Sequence, residues 1–328
     1  MATFKPNIEL DNKYLDEIEN VTFNAIFILG VERSGTSILY KLLNATNCFN
    51  PVTAYHIIKY SELLHNNINS LEKKTKEDLT NFFKKTYQID RGIDRLRIIP
   101  DFPEECRFVL GQKTGQETLN PKTLKIFIEL CKKIRYISEN DKPILLKSPK
   151  DFSNFIYIKK VFPNAKFIFI HRNPIKTLNS QLKAMRTLLK HKSPYMALLS
   201  PRYNQVFNNK ILLYYYRFIY SSITPIRAIT AVNKLANSTD YFLNNISSLS
   251  QNDYVSTRYE DICREPDAEI EKIMHFLNIR PKSDILYSDF VKPRKTTKLK
   301  EIQRMKKFII KRMNKYIKYC EYTAKDIG

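Results

Sequence analysis

An apolar run, Asn24-Ala-Ile-Phe-Ile-Leu-Gly30, leads directly into Gly30-Val-Glu-Arg-Ser-Gly-Thr-Ser37 and then into a segment whose Ile38, Leu39, Leu42 and Leu43 recur at helical spacing. Strand, tight loop and helix in that order restrict the fold more than any other feature of the chain. The loop's backbone N–H groups and the positive end of the helix dipole converge on one point, an arrangement suited to an anion. A plain glycine turn would also join strand to helix, but a loop this complete in this context is hard to reach by accident.

Three further apolar runs read as strands: Pro143-Ile-Leu-Leu-Lys147, Ala165-Lys-Phe-Ile-Phe-Ile-His171 and Asp253-Tyr-Val-Ser-Thr-Arg-Tyr259. The first two of these, like the run before Gly30, show little polar alternation, as parallel strands covered on both faces require. Helical patterns lie between them. Asn120-Pro121 starts one whose Leu124, Phe127, Ile128, Cys131 and Ile134 share a face. Asn173-Pro174 starts another with Ile175, Leu178, Leu182, Met185 and Leu189, and Pro266 opens a third with Ile270, Ile273, Met274 and Leu277. The expected fold is α/β, a P-loop-like parallel sheet flanked by helices, with ligands at the carboxyl ends of the strands. That puts residues 30–36, 147–150 and 171–173 on one rim.

Two regions fall outside this frame. Residues 186–248 read as an aromatic helical insertion containing Ile211-Leu-Leu-Tyr-Tyr-Tyr-Arg-Phe-Ile-Tyr220, and residues 299–320 as a basic amphipathic helix with Ile302, Met305, Ile309, Met313 and Tyr316 on one face. Both are expected to pack on the core in preference to a membrane or a partner. With no low-complexity break, residues 1–328 read as one domain with its core at about 21–290.

The formal charge of +22 suits nucleic acid, an anionic membrane or a small polyanion equally. The lysines are spread along the chain, densest between Lys292 and Lys318, so solvated helix faces account for most of them. No stretch approaches the roughly 18 apolar residues of a spanning helix, and Met1-Ala-Thr-Phe-Lys-Pro6 lacks the apolar run of a signal peptide, which points to the cytoplasm. The five cysteines, Cys48, Cys106, Cys131, Cys263 and Cys320, have no metal-site or disulfide spacing and read as reduced thiols. The Asn-X-Ser/Thr triplets at Asn44, Asn237 and Asn245 are the chance product of an asparagine-rich chain.

The loop's spacing matches the nucleoside-triphosphate pattern G-x-x-x-x-G-K-[ST] except that Thr36 stands where the lysine belongs. That lysine reaches β- and γ-phosphates, and its neighbouring hydroxyl holds magnesium. A ligand with one phosphate beside its ribose needs neither. His171-Arg172 also ends the third strand where a triphosphatase would carry a metal-binding aspartate.

These residues resemble the sulfotransferases that use 3′-phosphoadenosine 5′-phosphosulfate (PAPS), in the branch whose first motif reads arginine-serine-glycine-threonine. The resemblance implies that Arg33, Ser34, Gly35, Thr36 and Ser37 bind the 5′-phosphosulfate, and that Arg172 and Ser180, eight residues apart, hold the 3′-phosphate. Leu146-Lys147-Ser148-Pro149 is similar to the branch's lysine-serine-proline strand end. Arg258-Tyr259-Glu260-Asp261 is similar to a segment whose tyrosine lies by the adenine, and Asp101-Phe-Pro-Glu-Glu105 also resembles a segment of the branch. Arg294-Lys295 is similar to a basic loop that closes the 3′-phosphate site, without its glycine. The resemblance spans about 23–65 and 100–280.

It implies metal-free, in-line transfer of a sulfuryl group from PAPS to a hydroxyl or amine of a small molecule, glycan, lipid or peptide. Arg33 and Lys147 would stabilise the shifting charge. The base is open. Soluble family members have a histidine where Pro149 stands here, and the branch's glutamate position falls in Pro51-Val-Thr-Ala-Tyr-His56. His56 is therefore one base, with Glu62 or Glu105 as the others. Two other functions compete: a P-loop kinase or NTPase, against which the missing lysine argues, and a non-enzymatic nucleic-acid binder, for which the chain shows no groove-reading motif.

Overall fold

The computed structural model describes residues 9–86, 97–223, 226–281, 285–291 and 297–327. Five strands, β1 (Ala25–Leu29), β2 (Asn50–Pro51), β3 (Ile144–Lys147), β4 (Lys166–His171) and β5 (Tyr254–Arg258), form one sheet in the order β2-β3-β1-β4-β5. Every pairing is parallel, with Phe27 opposite both Leu146 and Phe167. The four strands expected from the apolar runs are all present. β2 was not expected, because two residues leave no periodicity to read; its place is fixed by Tyr40, whose hydroxyl donates to Leu145 O (2.8 Å) and accepts from Val52 N (2.7 Å).

The sheet has two apolar faces because neighbouring side chains on a strand point opposite ways. Phe27, Leu29, Ile144, Leu146, Phe167 and Phe169 enter one core with the helices Leu124–Ile137, Phe155–Val161, Pro174–Lys190 and Ile226–Asn245. Ile26, Ile28, Leu145, Ile168 and Ile170 enter the other, under the helices Thr36–Ala45 and Pro266–Phe276. Helix starts follow the expected chemistry: Asn173 Oδ1 accepts from Ile175 N and Lys176 N, and Pro174 and Pro266 stand in first turns. At Asn120 the side chain caps a turn by accepting from Lys122 N (2.9 Å), and the regular helix begins four residues later at Leu124.

Two expectations need correction. The basic segment 299–320 is not one helix but three, Lys300–Arg304, Lys306–Arg312 and Asn314–Tyr319. The ladder breaks at Met305 and Met313, where ψ opens to 0° and 15°. Its apolar side still meets the core through Ile302, Ile309, Met313 and Tyr316. In the insertion, Tyr195, Leu199, Val232 and Phe242 join the core, but the helix Lys210–Ile219 buries only Ile219 and turns most of its rings to solvent. All five cysteines are free thiols, and no helix among the described residues is long and apolar enough to cross a membrane.

The end of β4 is tied to the C-terminal segment through His171, whose Nδ1 lies 3.0 Å from the Tyr316 hydroxyl and whose ring packs against Phe242. Burial pushes this imidazole down to about 3, so it is neutral when folded. A folded value below the unfolded one leaves stability intact above pH 6.5 and removes it as pH falls from there toward 3, because only the unfolded state takes up the proton. Lowering the pH from 7 to 5 should cost about 2 kcal/mol through His171 alone. Thermal melts at both pH values should show a smaller pH-dependent drop for His171→Gln than for wild type.

Candidate active site

β1 occupies the middle of the sheet, so its loop emerges between the ends of β3 and β4. The loop lies so close to β4 that a Cβ on Gly30 would stand 2.5 Å from Ile170 O and 2.6 Å from Ser34 Oγ. Arg33 (φ 73°) and Gly35 (φ 111°) take left-handed conformations, which turn the backbone into the start of the helix Thr36–Ala45. A Cβ on Gly35 would also meet the Tyr259 ring at 2.3 Å, so the ring rides directly on the loop. Ser34 is fully buried and its Oγ has no hydrogen-bond partner, and the same holds for Nε of Arg172. Orphaned buried polar atoms are rare in folded proteins. Here one belongs to the loop before the helix Thr36–Ala45 and the other to the arginine that donates to that loop's Arg33 carbonyl, and the set fits a phosphorylated ligand.

The two motifs expected to hold phosphate, about 140 residues apart, come together here. Arg172, one residue past β4, donates from Nη1 to Arg33 O (2.9 Å) and lays its guanidinium 4.1 Å from the centre of the Tyr259 ring. Arg33 donates from Nε to Ser180 Oγ (3.2 Å) on the helix Pro174–Lys190. Gln181 adds a contact that the sequence did not suggest, from Nε2 to Glu32 O (2.8 Å). Only its place beside Ser180 could have signalled it. Arg294 and Lys295 lie outside the described residues; Thr297 O, beyond them, accepts from Asn179 Nδ2 (3.1 Å).

On the other side of the loop Lys147, at the end of β3, is completely buried. Its Nζ lies 3.3 Å from Ser37 Oγ, 3.3 Å from Glu105 and 3.8 Å from Glu104. Charges taken out of water must be paired, and these are. Tyr195 from the insertion donates to Glu104 (2.9 Å). Arg107 donates to Glu105 and, at 2.7 Å, to Glu117; Lys150 bridges Glu117 and Glu32, at 3.5 Å each. Burial would lower the Arg107 guanidinium, but Glu105, Glu117 and Glu32 outweigh it and hold it above its ordinary range. Burial would likewise raise the Glu117 carboxyl, but Arg107 and Lys150 hold it below. Glu104, Arg107 and Tyr195 were not singled out in the sequence. Glu104 was visible only as part of the Asp101–Glu105 segment.

His56 stands apart from this group. It is the third residue of a capping box: Thr53 N donates to His56 Nδ1 (3.2 Å), and Thr53 Oγ1 accepts from His56 N (3.4 Å). Burial first, and then the charge of Lys76, push its imidazole down to about 3. Glu62 is paired with Lys59 at 3.1 Å. Of the three groups considered as a base, Glu105 is the one beside Lys147. Among the described residues no group of three or more histidine, cysteine, aspartate or glutamate side chains could hold a metal ion.

Residues 25–209 match the model of the sulfotransferase family. No curated protein matches the chain in sequence. Among solved structures the chain is similar to sulfotransferase STF9 from Mycobacterium avium, with TM-score 0.59 and 13% identity over 94% of this chain and 81% of that one. It is also similar to sulfotransferase STF1 from Mycobacterium tuberculosis H37Rv, with TM-score 0.52 and 14% identity over 97% of this chain and 79% of that one. A sulfotransferase from Alicyclobacillus acidocaldarius gives TM-score 0.50 and 12% identity over 94% and 99%. At these identities the likeness is one of fold.

At Gly35 the cradle's geometry leaves no room for a side chain. Gly35→Ala adds both a left-handed backbone penalty and a collision with Tyr259. It should lower stability by about 1–3 kcal/mol, read as a fall in Tm. The double variant Gly35→Ala/Tyr259→Ala, which removes the ring, should recover the part due to the collision.

Proposed function

Because the chain belongs to the sulfotransferase family, we propose that it uses PAPS as donor and transfers the sulfuryl group to a hydroxyl or amine acceptor. One observation carries this reading: the loop amides, Arg172 with Ser180, and buried Lys147 converge on the carboxyl end of the sheet around two orphaned polar atoms. The loop from Arg33 to Ser37 holds the 5′-phosphate, Arg172 and Ser180 the 3′-phosphate, and the Tyr259 ring packs beside the adenine. Residues 1–328 act as one domain, a reading supported by the shared core of sheet, insertion and C-terminal segment.

In the transfer, the acceptor's O–H or N–H gives its proton to a base while its oxygen or nitrogen bonds to sulfur. The bond from sulfur to the phosphate oxygen breaks and leaves 3′-phosphoadenosine 5′-phosphate. Positioning and electrostatics do most of this work. Lys147 neutralises charge on the sulfonate and the departing oxygen, with Arg33 on the loop's other side. Glu105 takes the proton: it is paired with Arg107 and with Lys147, which hold its carboxylate beside the reacting group. His56 acts as a helix cap, since its Nδ1 is already engaged. Tyr195 brings the insertion to the acid pair, so residues 186–248 help to choose the acceptor.

The nucleotide assignment predicts metal-independent binding of 3′-phosphoadenosine 5′-phosphate in preference to AMP. Losing one charge-assisted hydrogen bond costs about 1.5–3 kcal/mol, so calorimetry on Arg172→Ala should show affinity down about ten- to a hundred-fold. Equal affinity of wild type for the two nucleotides would overturn the assignment.

The catalytic roles separate in kinetics, with a labelled-donor assay across an acceptor panel. Lys147→Ala should lower kcat by the equivalent of about 2.7–4 kcal/mol while changing nucleotide affinity less. Glu105→Gln should lose about 10²–10⁴-fold in kcat, whereas His56→Gln should keep its turnover. The opposite ranking of Glu105→Gln and His56→Gln would return the base to His56.

A further inference from the structure

The helix Lys210–Ile219 is amphipathic, yet its more apolar side faces water. Ile211, Tyr214, Tyr215 and Phe218 recur at i, i+3, i+4 and i+7 and are exposed, Ile211 at 83% and Tyr214 at 70%. Ile223 and, at the start of the next helix, Ile226 are exposed as well. Single exposed apolar residues are ordinary, but a contiguous helix face of them marks an interaction surface.

The charge around this face restricts its partner. From Asp151 to Asp240 the chain has no acidic residue between the two, while the same stretch holds fourteen lysines and arginines. At 100° per residue, Lys210 and Arg217 stand along one edge of the apolar face. Beside that edge is a cleft of about 350 Å³ lined by Arg186, Lys190, Arg217 and Tyr220. Its cations are fixed in place: Arg217 donates to Leu189 O (2.9 Å) and Lys190 O (3.0 Å), and Arg186 to Tyr220 O (2.6 Å) and to Glu301.

We propose that this face docks the protein on an anionic lipid bilayer. The aliphatic and phenolic side chains enter the headgroup boundary, the lysines and arginines lie over the negative surface, and the cleft receives a lipid phosphate. A second copy of the chain is a poor occupant, because a two-fold contact would set Lys210 and Arg217 of one copy against the same cations of the other. A single-stranded nucleic acid would stack bases on Tyr214, Tyr215 and Phe218 but would leave the exposed Ile211, Ile223 and Ile226 without a partner.

The sequence contains no tryptophan, so a single one can be placed as a reporter. Phe218→Trp should shift its emission to the blue on mixed phosphatidylcholine–phosphatidylglycerol vesicles and not on phosphatidylcholine alone. Leu286→Trp, exposed next to Tyr287 of the opposite sheet face, should not shift on either. In co-sedimentation, the triple variant Tyr214→Ser/Tyr215→Ser/Phe218→Ser should lose at least about tenfold in partitioning onto the anionic vesicles, with Tm and nucleotide affinity unchanged. Three results would each overturn the proposal: equal shifts at both reporters, undiminished binding of the triple variant, or a dimer in sedimentation velocity that the triple variant dissociates. None of these readouts depends on sulfuryl transfer.

Discussion

The site depends on a close approach between two strands. Gly30 lies against the carbonyl of Ile170 so tightly that no side chain fits between them. This contact brings the loop after β1 to the end of β4, where Arg172 can reach the Arg33 carbonyl. It also fixes where the left-handed residues Arg33 and Gly35 turn the chain into its helix. A side chain at residue 30 would push the loop off β4 and separate the two groups that together suit a phosphate. The central position of β1 does the rest, since β3 on its other flank delivers Lys147 to the same opening.

Charge is the second constraint. Lys147, Glu104 and Glu105 are buried together, and the pairing continues through Arg107, Glu117 and Lys150 to Glu32 on the loop. Each buried ion has a partner of opposite sign, so the network carries no isolated charge. Truncating one member leaves its partner uncompensated, so Lys147→Ala carries a stability cost beside its effect on turnover.

What the sequence could reveal followed from the reach of each signal. Strands buried on both faces leave continuous apolar runs, and β1, β3 and β4 were legible for that reason; β5, at the sheet edge and mostly half-buried, was legible only as a mixed run. β2 has two residues and takes its place from the Tyr40 hydroxyl, a contact across the helix that no local pattern encodes. Arg33, Arg172 and Ser180 were legible as motifs, and the structure brings them within hydrogen-bond reach. Glu104 was visible only as part of the Asp101–Glu105 segment, and nothing in the neighbourhood of Tyr195 marks it as the partner of Glu104. His56 shows how two readings can share one position: its place in the chain suggests chemistry, and Thr53 three residues earlier makes a capping box equally readable there. The insertion's stripe was read as core, yet amphipathic periodicity gives a helix two faces without saying which one the protein covers.

Thr36 in place of the loop lysine fits the same physical logic. In a nucleoside-triphosphate loop the cation comes from the loop itself and follows the terminal phosphates. Here, in addition to the loop's own Arg33, a cation 3.3 Å from Ser37 Oγ in the loop helix's first turn comes from β3. A lysine rooted in a central strand, sealed from water and held by two carboxylates has few rotamers open to it, so its charge is fixed before a ligand arrives. Such preorganisation suits a reaction in which charge moves between two oxygens along one line, because a cation already in place needs no reorganisation as the charge shifts. A flexible loop lysine would spend part of that advantage on its own ordering. Replacing the loop lysine by a threonine therefore leaves the site its positive charge and moves it onto the stiffest element nearby.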